Sequence, residues 1–376
     1  MIKPVTDRWQ ARFADDLLEQ AKREIHHEKP KTTGRLMVAW VLSVIVLASP
    51  IVVMALGGGL ILTTFPRVLP LIFGLILIGF GYVLLPPRYR NTQQTYSRVD
   101  LPLLFGLLDD IAARMGTTAP DGIHFDGDFN AYIAHLRAQS STRRDWILGI
   151  GLAMWVTLSP QQRIALLAHE LGHRVSDDPM RHGVFARAKV VLENWYETFD
   201  LDRHIDAPII QMVMTGLIGA YYQIFSWFSF FESQRAEYRA DAIAAQVSGR
   251  QACHEMLEIL TRADLGQIAI VDLYPYRDQQ NGRIFDHMAQ AVTGADGATK
   301  GRYLAEAEAQ KRCVDSSHPP TSMRIEFIQS LPDTWGTKRL HSSDHDFAAI
   351  DNEMRTIKDQ LGKEEMQDLF DTEVNR

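Results

Sequence analysis

Two stretches near the N-terminus carry no charge. Leu36–Pro66 runs for 31 residues, and after the single Arg67 the stretch Val68–Pro87 adds another 20. About 20 apolar residues cover a bilayer as a helix. The pair therefore predicts a helical transmembrane hairpin over 36–87, with helices at about 36–60 and 68–86 and a turn around Thr63–Arg67. Pro50 and Gly57–Gly59 are expected to bend or end the first helix. A third uncharged run covers 207–231. Within it Gln211, Thr215, Tyr222, Ser226 and Ser229 fall on one stripe at helical spacing. That pattern predicts a membrane-associated helix with its polar stripe turned toward protein.

Other segments alternate polar and apolar. Residues 1–35 predict an amphipathic helix with Trp9, Phe13, Leu17 and Ile25 on one side, too charged to span and read as a solvated juxtamembrane segment. "LPLLFGLLDDIAARMG" predicts a helix closed by Gly116, while "FNAYIAHL" and "RDWILGIGLAMWVTL" predict strands. Gly149 and Gly151 in the second mark a close approach of another backbone. From Ser159 onward the pattern is mostly helical. Phe347, Ile350, Met354, Ile357 and Leu361 recur at 3-4-3-4 spacing, which predicts a docked helix in the C-terminal tail, 333–376. The fold class is α+β, mostly helical with a small sheet.

Composition changes the picture little. The chain has 376 residues and a net charge of −7, and no long basic patch suggests a nucleic-acid partner. Its two cysteines, Cys253 and Cys313, are too few for a disulfide framework or a cysteine-based metal site. The basic residues flank the hairpin on both sides: Lys22, Arg23, Lys29, Lys31 and Arg35 before it, Arg88, Arg90 and Arg98 after it. The positive-inside rule then places the N-terminus and everything after about residue 88 in the cytoplasm, on a multi-pass protein of the inner (plasma) membrane.

The candidate chemistry sits in "LSPQQRIALLAHELGH". Ser159, Pro160 and Gln162 form a helix start with a capping box. Ile164, Leu167, Ala168, Leu171 and Val175 share one face, and His169 and His173 lie nearly opposite. Residues at i and i+4 stack on a helix, so both imidazoles can reach one ion. Glu170 is then placed to take a proton from an attacking water. Gly172 allows a close neighbour at the helix end. A third ligand is required. The H-x-x-G-x-x-H continuation is absent, and His182 lies nine residues on without the needed glycine turn. A later helix, "ESQRAEYRADAIAAQ", offers Glu237, with Asp241 one turn further to hold a ligating imidazole.

"HELGH", "QRAEYRAD" and "SSHPPTSMRIEFI" occur in the order found in the M48 zinc metalloproteases, and the chain resembles that family over about residues 100–330. The family includes the bacterial membrane proteases of the HtpX type and the eukaryotic CAAX-processing proteases. The resemblance implies a gluzincin-type domain over 88–332 and one zinc per chain, held by His169, His173 and Glu237. It implies Glu170 as catalytic base, Asp178 and Asp241 as supports around the ligands, and His318 as the oxyanion partner. It also implies that Asn130, in "FNAYI", and Arg324 serve substrate binding. The strand near Ile147–Val156 is expected either to pair at an edge with extended substrate or to lie buried in the sheet.

The expected function is an integral-membrane zinc endopeptidase. Its substrates would be proteins or peptides in or near the lipid bilayer. The alternative is a zinc-stabilised membrane scaffold or chaperone with little proteolysis.

Overall fold

The computed structural model describes residues 3–25, 34–86, 93–137, 144–176, 183–199, 209–271, 283–310, 318–336 and 338–374. The chain forms two compact units. One comprises Met1–Pro30, Arg90–Asp178 and Gln234–Arg376; the other comprises Lys31–Tyr89 and Pro179–Ser233. The helices are α1 (Lys3–Glu24), α2 (Gly34–Thr64), α3 (Val68–Val83), α4 (Pro102–Met115), α5 (Leu152–Thr157), α6 (Pro160–Val175), α7 (Gly183–Phe199), α8 (Ile209–Ser248), α9 (Arg250–Leu260), α10 (Asp264–Val271), α11 (Ile284–Gly294), α12 (Gly297–Ala309), α13 (Thr321–Ser330), α14 (Phe347–Glu353) and α15 (Arg355–Val374). The strands are β1 (Gly122–Asp126), β2 (Ala131–Arg137) and β3 (Arg144–Gly151).

In the apolar unit, α2 runs unbroken through Pro50 and the three glycines, so neither ends the helix as the sequence suggested. Of the three, Gly57 serves packing instead. A Cβ on Gly57 would lie 2.5 Å from the Gly74 carbonyl oxygen, and one on Gly74 would lie 2.7 Å from that of Gly57. Among the described residues, α2 is the one helix long and apolar enough to cross a membrane, with a mean hydropathy of 2.6. At 16 residues α3 is shorter, about 24 Å at the helical rise. Large apolar side chains such as Trp40, Ile51, Leu56, Ile72 and Phe73 point outward from both. Replacing Gly74 by leucine is expected to force α2 and α3 apart and lower the melting temperature in detergent. Gly79→Leu is the control, because a Cβ there meets nothing within 4 Å.

The uncharged run 207–231 does not stand alone. The amphipathic α7 precedes it, burying Phe185, Ala188, Val191, Leu192 and Trp195 while Arg187, Lys189 and Glu197 stay exposed. Thr215 and Tyr222 of the polar stripe of α8 meet this helix. The Thr215 hydroxyl donates to the Phe199 carbonyl, and the Tyr196 and Tyr222 rings lie 6.1 Å apart. Val46, Leu84, Ala188, Val191, Leu192, Trp195 and Phe225 form the core of this unit. Trp195 Nε1 donates to the Leu84 carbonyl at 2.9 Å, and the Tyr221 hydroxyl to that of Leu42 at 2.6 Å.

In the other unit the sheet order is β1-β3-β2, with β1 parallel and β2 antiparallel to β3. The apolar β3 is therefore the central strand, not an edge, which excludes it as a pairing surface for substrate. A short bridge from Tyr96 to Ile123 covers β1, whereas the outer edge of β2 has no strand partner among the described residues. The strand predicted through residue 158 stops at Gly151, where a Cβ would lie 1.9 Å from the Asp128 carbonyl oxygen. The chain turns there into α5, with Leu152, Ala153, Met154, Trp155 and Thr157 buried. Continuous apolarity reads equally as a central strand or a buried helix, which is why the two merged in sequence.

The N-terminal segment is docked rather than solvated. Ala14, Leu17, Leu18 and Ala21 are buried, and Lys22 Nζ lies 3.0 Å from Glu326 Oε1 on α13. Glu24 Oε2 accepts from Arg235 Nε at 3.1 Å and from Nη2 at 2.6 Å. Burial acts to raise the Glu24 carboxyl. Hydrogen bonds from Gln20 and Arg235, with the charges of Arg235 and Arg239, outweigh it and hold the group below its usual range. A depressed carboxyl stabilises the docked state above its free value of 4.5 and loses that contribution as pH falls through the folded value. Acidification below 4.5 should therefore make α1 sensitive to limited proteolysis, and Glu24→Gln should show that sensitivity at neutral pH.

The C-terminal tail belongs to the same unit. Phe347, Ile350, Met354 and Ile357 are buried as the spacing predicts. Asp351 accepts from Trp155 Nε1 at 2.9 Å and from Arg163 Nη1 at 2.9 and 3.0 Å, fastening α14 to α5 and the start of α6. Glu353 accepts from the Leu103 and Leu104 amides and so caps α4.

Candidate active site

The site rests on α6 and α8. The capping box starts α6, with the Ser159 amide donating to Gln162 Oε1 at 2.9 Å. Gln162 to His173 is buried throughout, so the helix is enclosed on all sides. The two helices approach most closely at Gly172: a Cβ there would lie 3.1 Å from Ala240 Cα and 3.3 Å from the Ala240 carbonyl oxygen. The glycine of "HELGH" thus lets the two donor-bearing helices meet. Its partner Ala240 was not singled out in the sequence, where the signal is the run of small residues in "RADAIAA".

That approach brings His169, His173 and Glu237 together, with donor atoms all within 4.8 Å of one another. His169 Nε2 and His173 Nε2 are 3.3 Å apart. Glu237 Oε2 lies 3.4 Å from His169 Nε2, and Oε1 lies 3.3 Å from His173 Nε2. Bonds of about 2.0–2.1 Å to a tetrahedral zinc would set such donors about 3.3 Å apart. The triangle of residues therefore has spacings of the size zinc needs, with Glu237 turning a different oxygen to each imidazole, and one oxygen from it with the two imidazoles would leave a fourth position open. All three residues are nearly fully buried, at 4%, 1% and 2% exposure.

Around the triangle the structure places a ring of polar groups. Asp241 Oδ1 lies 2.9 Å from His169 Nδ1. Arg324 holds Asp241 bidentately, Nη2 to Oδ1 at 2.7 Å and Nε to Oδ2 at 2.9 Å. Its Nη1 also approaches Glu237 Oε2 at 3.7 Å. Arg324 is 8% exposed, so its guanidinium is turned to Asp241 and not to open space. His318 Nδ1 is 3.1 Å from Glu237 Oε2, and its side chain is 57% exposed, the open member of the group. Gln234 Nε2 donates to the His318 carbonyl at 3.3 Å and ties that segment to α8. Glu170 is buried on α6 between the two histidines. Asn130 is exposed at the head of β2, where its Oδ1 accepts from the Ala131 amide and its carbonyl from the Gly151 amide. Asp178 and Cys313 lie outside the described residues.

The electrostatics follow the geometry. Burial would lower the His169 imidazole, but hydrogen bonds to Asp241 and Glu237 push it up to about 9. Burial would raise Glu237, yet the His173 charge and hydrogen bonds from His169, His173 and His318 hold it well below the carboxylate range. Asp241 is likewise lowered, against burial, chiefly by the Arg324 charge and hydrogen bond.

Two histidines one turn apart on one helix and a carboxylate from a second are the donor set of a mononuclear metallohydrolase. The chain belongs to peptidase family M48, whose family model matches residues 123–331. It is 28% identical over 183 residues to a protein named Protease HtpX from Pseudomonas putida (strain GB-1), a match covering 44% of this chain and 55% of the relative. It is 31% identical over 197 residues to Protease HtpX from Stutzerimonas stutzeri (strain A1501), covering 48% and 60%. The chain thus spans a little over half the length of these relatives. No solved structure gives a significant match.

Proposed function

We propose that the chain is a membrane-embedded, zinc-dependent endopeptidase of the gluzincin type, one zinc per chain. The observation that carries this reading is the His169, His173, Glu237 triangle, whose edges of 3.3 to 3.4 Å suit zinc. When bound, the ion supplies a Lewis acid that polarises the scissile carbonyl and lowers the pKa of water. Glu170 takes the proton of the attacking water and returns it to the leaving amine. His318, exposed at the site, donates to the carbonyl oxygen as negative charge develops. Asp241 fixes the tautomer and ring orientation of His169, and Arg324 acts through Asp241 as a positioning residue rather than as a substrate contact. Asp178 follows His173 closely in sequence and is proposed to support the ligands in the same way. Substrate binds extended along the outer edge of β2, beside Asn130, by adding a strand.

The long apolar α2 and the shorter α3 are proposed to form the transmembrane hairpin, with the N-terminus and the zinc centre on the cytoplasmic side by the distribution of basic residues. Glu237 shares the continuous helix α8 with residues 209–231 of the uncharged run. This supports substrates that lie in or near the bilayer. The test is cleavage of casein by the detergent-purified chain. Phenanthroline should abolish it and added zinc restore it. Zinc binding with no cleavage of any unfolded substrate would favour the scaffold reading.

A further inference from the structure

Two charged residues near the end of α1 land on two different helices. Glu24 pairs with Arg235 on α8 at 2.6 Å, and Lys22 with Glu326 on α13 at 3.0 Å. Each partner lies two positions from a residue of the metal-binding cluster: Arg235 before Glu237, and Glu326 after Arg324. Two residues turn an α-helix by about 200°. So α1 grips both helices on the side turned away from the cluster. The grip is apolar as well as ionic, since Ala14, Leu17, Leu18 and Ala21 are buried along the same helix.

The cluster needs α8 and α13 in a fixed relation. Arg324 of α13 holds Asp241 of α8 through hydrogen bonds of 2.7 and 2.9 Å, and Asp241 in turn meets His169. Tyr238 and Phe327, each 1% exposed, lie ring to ring at 5.1 Å between the same two helices. At ten residues α13 is too short to hold its place by helical stability alone, so its position depends on its neighbours. One of those neighbours is α1. The Arg235 side chain is 3% exposed, which leaves its pair with Glu24 less screened than a surface ion pair. The pair of Lys22 with Glu326 is more open and is the weaker grip.

Resting on the zinc reading of His169, His173 and Glu237, we propose that α1 is a positioning element of the metal site. Glu24 acts through Arg235 to hold the donor turn of α8. Lys22 acts through Glu326 to hold α13, and with it Arg324. Zinc affinity then depends on a helix that supplies no ligand. The dependence is mutual: by whatever factor docked α1 strengthens zinc binding, zinc strengthens the docking of α1.

The test reads binding and amide exchange, not proteolysis. Full-length protein in detergent, stripped of metal, is titrated with zinc against a chelator, and hydrogen exchange is followed with and without zinc. Glu24→Gln is expected to weaken zinc by about fivefold or more, and Glu24→Gln with Lys22→Gln by more still. In the wild type, zinc should slow exchange over Ala14–Ala21 by a comparable factor. Two controls separate positioning from general stability. Asp16→Asn removes an exposed charge of α1 and should leave zinc affinity unchanged. Ile350→Ala hollows the core under α14 and should lower the melting temperature while zinc affinity again holds. Unchanged zinc affinity in both Glu24 variants, or a loss in Ile350→Ala as large as theirs, overturns the proposal. A wild-type chain that binds no zinc sinks the zinc reading instead. Even then Glu24→Gln should quicken exchange at Glu237–Asp241 in metal-free protein by about fivefold or more, and no change there overturns the positioning role by itself.

Discussion

Glu170→Gln is expected to lower peptide cleavage by about 10²–10⁴-fold while the protein keeps its zinc and its melting temperature. The reasoning is local. Glu170 lies on α6 between His169 and His173, buried at 4% exposure, and is not one of the three donors. The amide has nearly the same shape as the carboxylate, so packing and metal binding survive. It cannot accept the proton of the attacking water. A fluorogenic peptide assay paired with metal analysis of both proteins checks this. Equal cleavage by the two would remove Glu170 from the chemistry. Loss of zinc in the variant would make it a ligand support instead.

The second large effect is on stability. Arg324→Ala leaves Asp241 with its charge buried, at 2% exposure, and without its two hydrogen bonds from the guanidinium. Breaking a buried pair from one side costs about 3–5 kcal/mol, because the remaining charge is stranded. The melting temperature should fall by several degrees or more. Zinc affinity should fall about 10–100-fold, since His169 loses the fixed orientation that Asp241 gives it. Arg324→Lys should recover only part of either, because an ammonium cannot reproduce the bidentate fork. The double variant Arg324→Met with Asp241→Asn should regain stability without regaining zinc affinity. That split separates the role of Arg324 as a partner of Asp241 from any direct contact with substrate. Wild-type melting and zinc binding in Arg324→Ala would contradict the positioning role.

Much of this architecture is legible in sequence because it depends on local pattern. The capped start of α6, the αL glycine that ends α4 and the heptad-like spacing in the tail are each set by a few adjacent residues. The clustered residues were legible for a related reason: i, i+4 spacing sets His169 and His173 on one face, and a later helix offers Glu237, with Asp241 one turn further on. What was misread depends on partners distant in the chain. An apolar stretch with glycines does not say whether it is the edge or the middle of a sheet, and β3 lies in the middle. The helix α1 reads as solvated until Glu24 is seen against Arg235, over two hundred positions away. The polar stripe of α8 meets α7 through Thr215 and Tyr222, a pairing that no local pattern announces. Gly57 looks like a helix breaker in isolation, and becomes a packing residue only once α2 and α3 are side by side.

The most direct measurement is zinc K-edge absorption on the purified full-length protein, wild type and Glu237→Gln. About one zinc per chain is expected, bound by two imidazoles and a carboxylate at about 2.0–2.1 Å, and most of that zinc should be lost in the variant. Zinc held by sulfur at about 2.3 Å, or zinc bound equally well in both proteins, would contradict the site built from His169, His173 and Glu237.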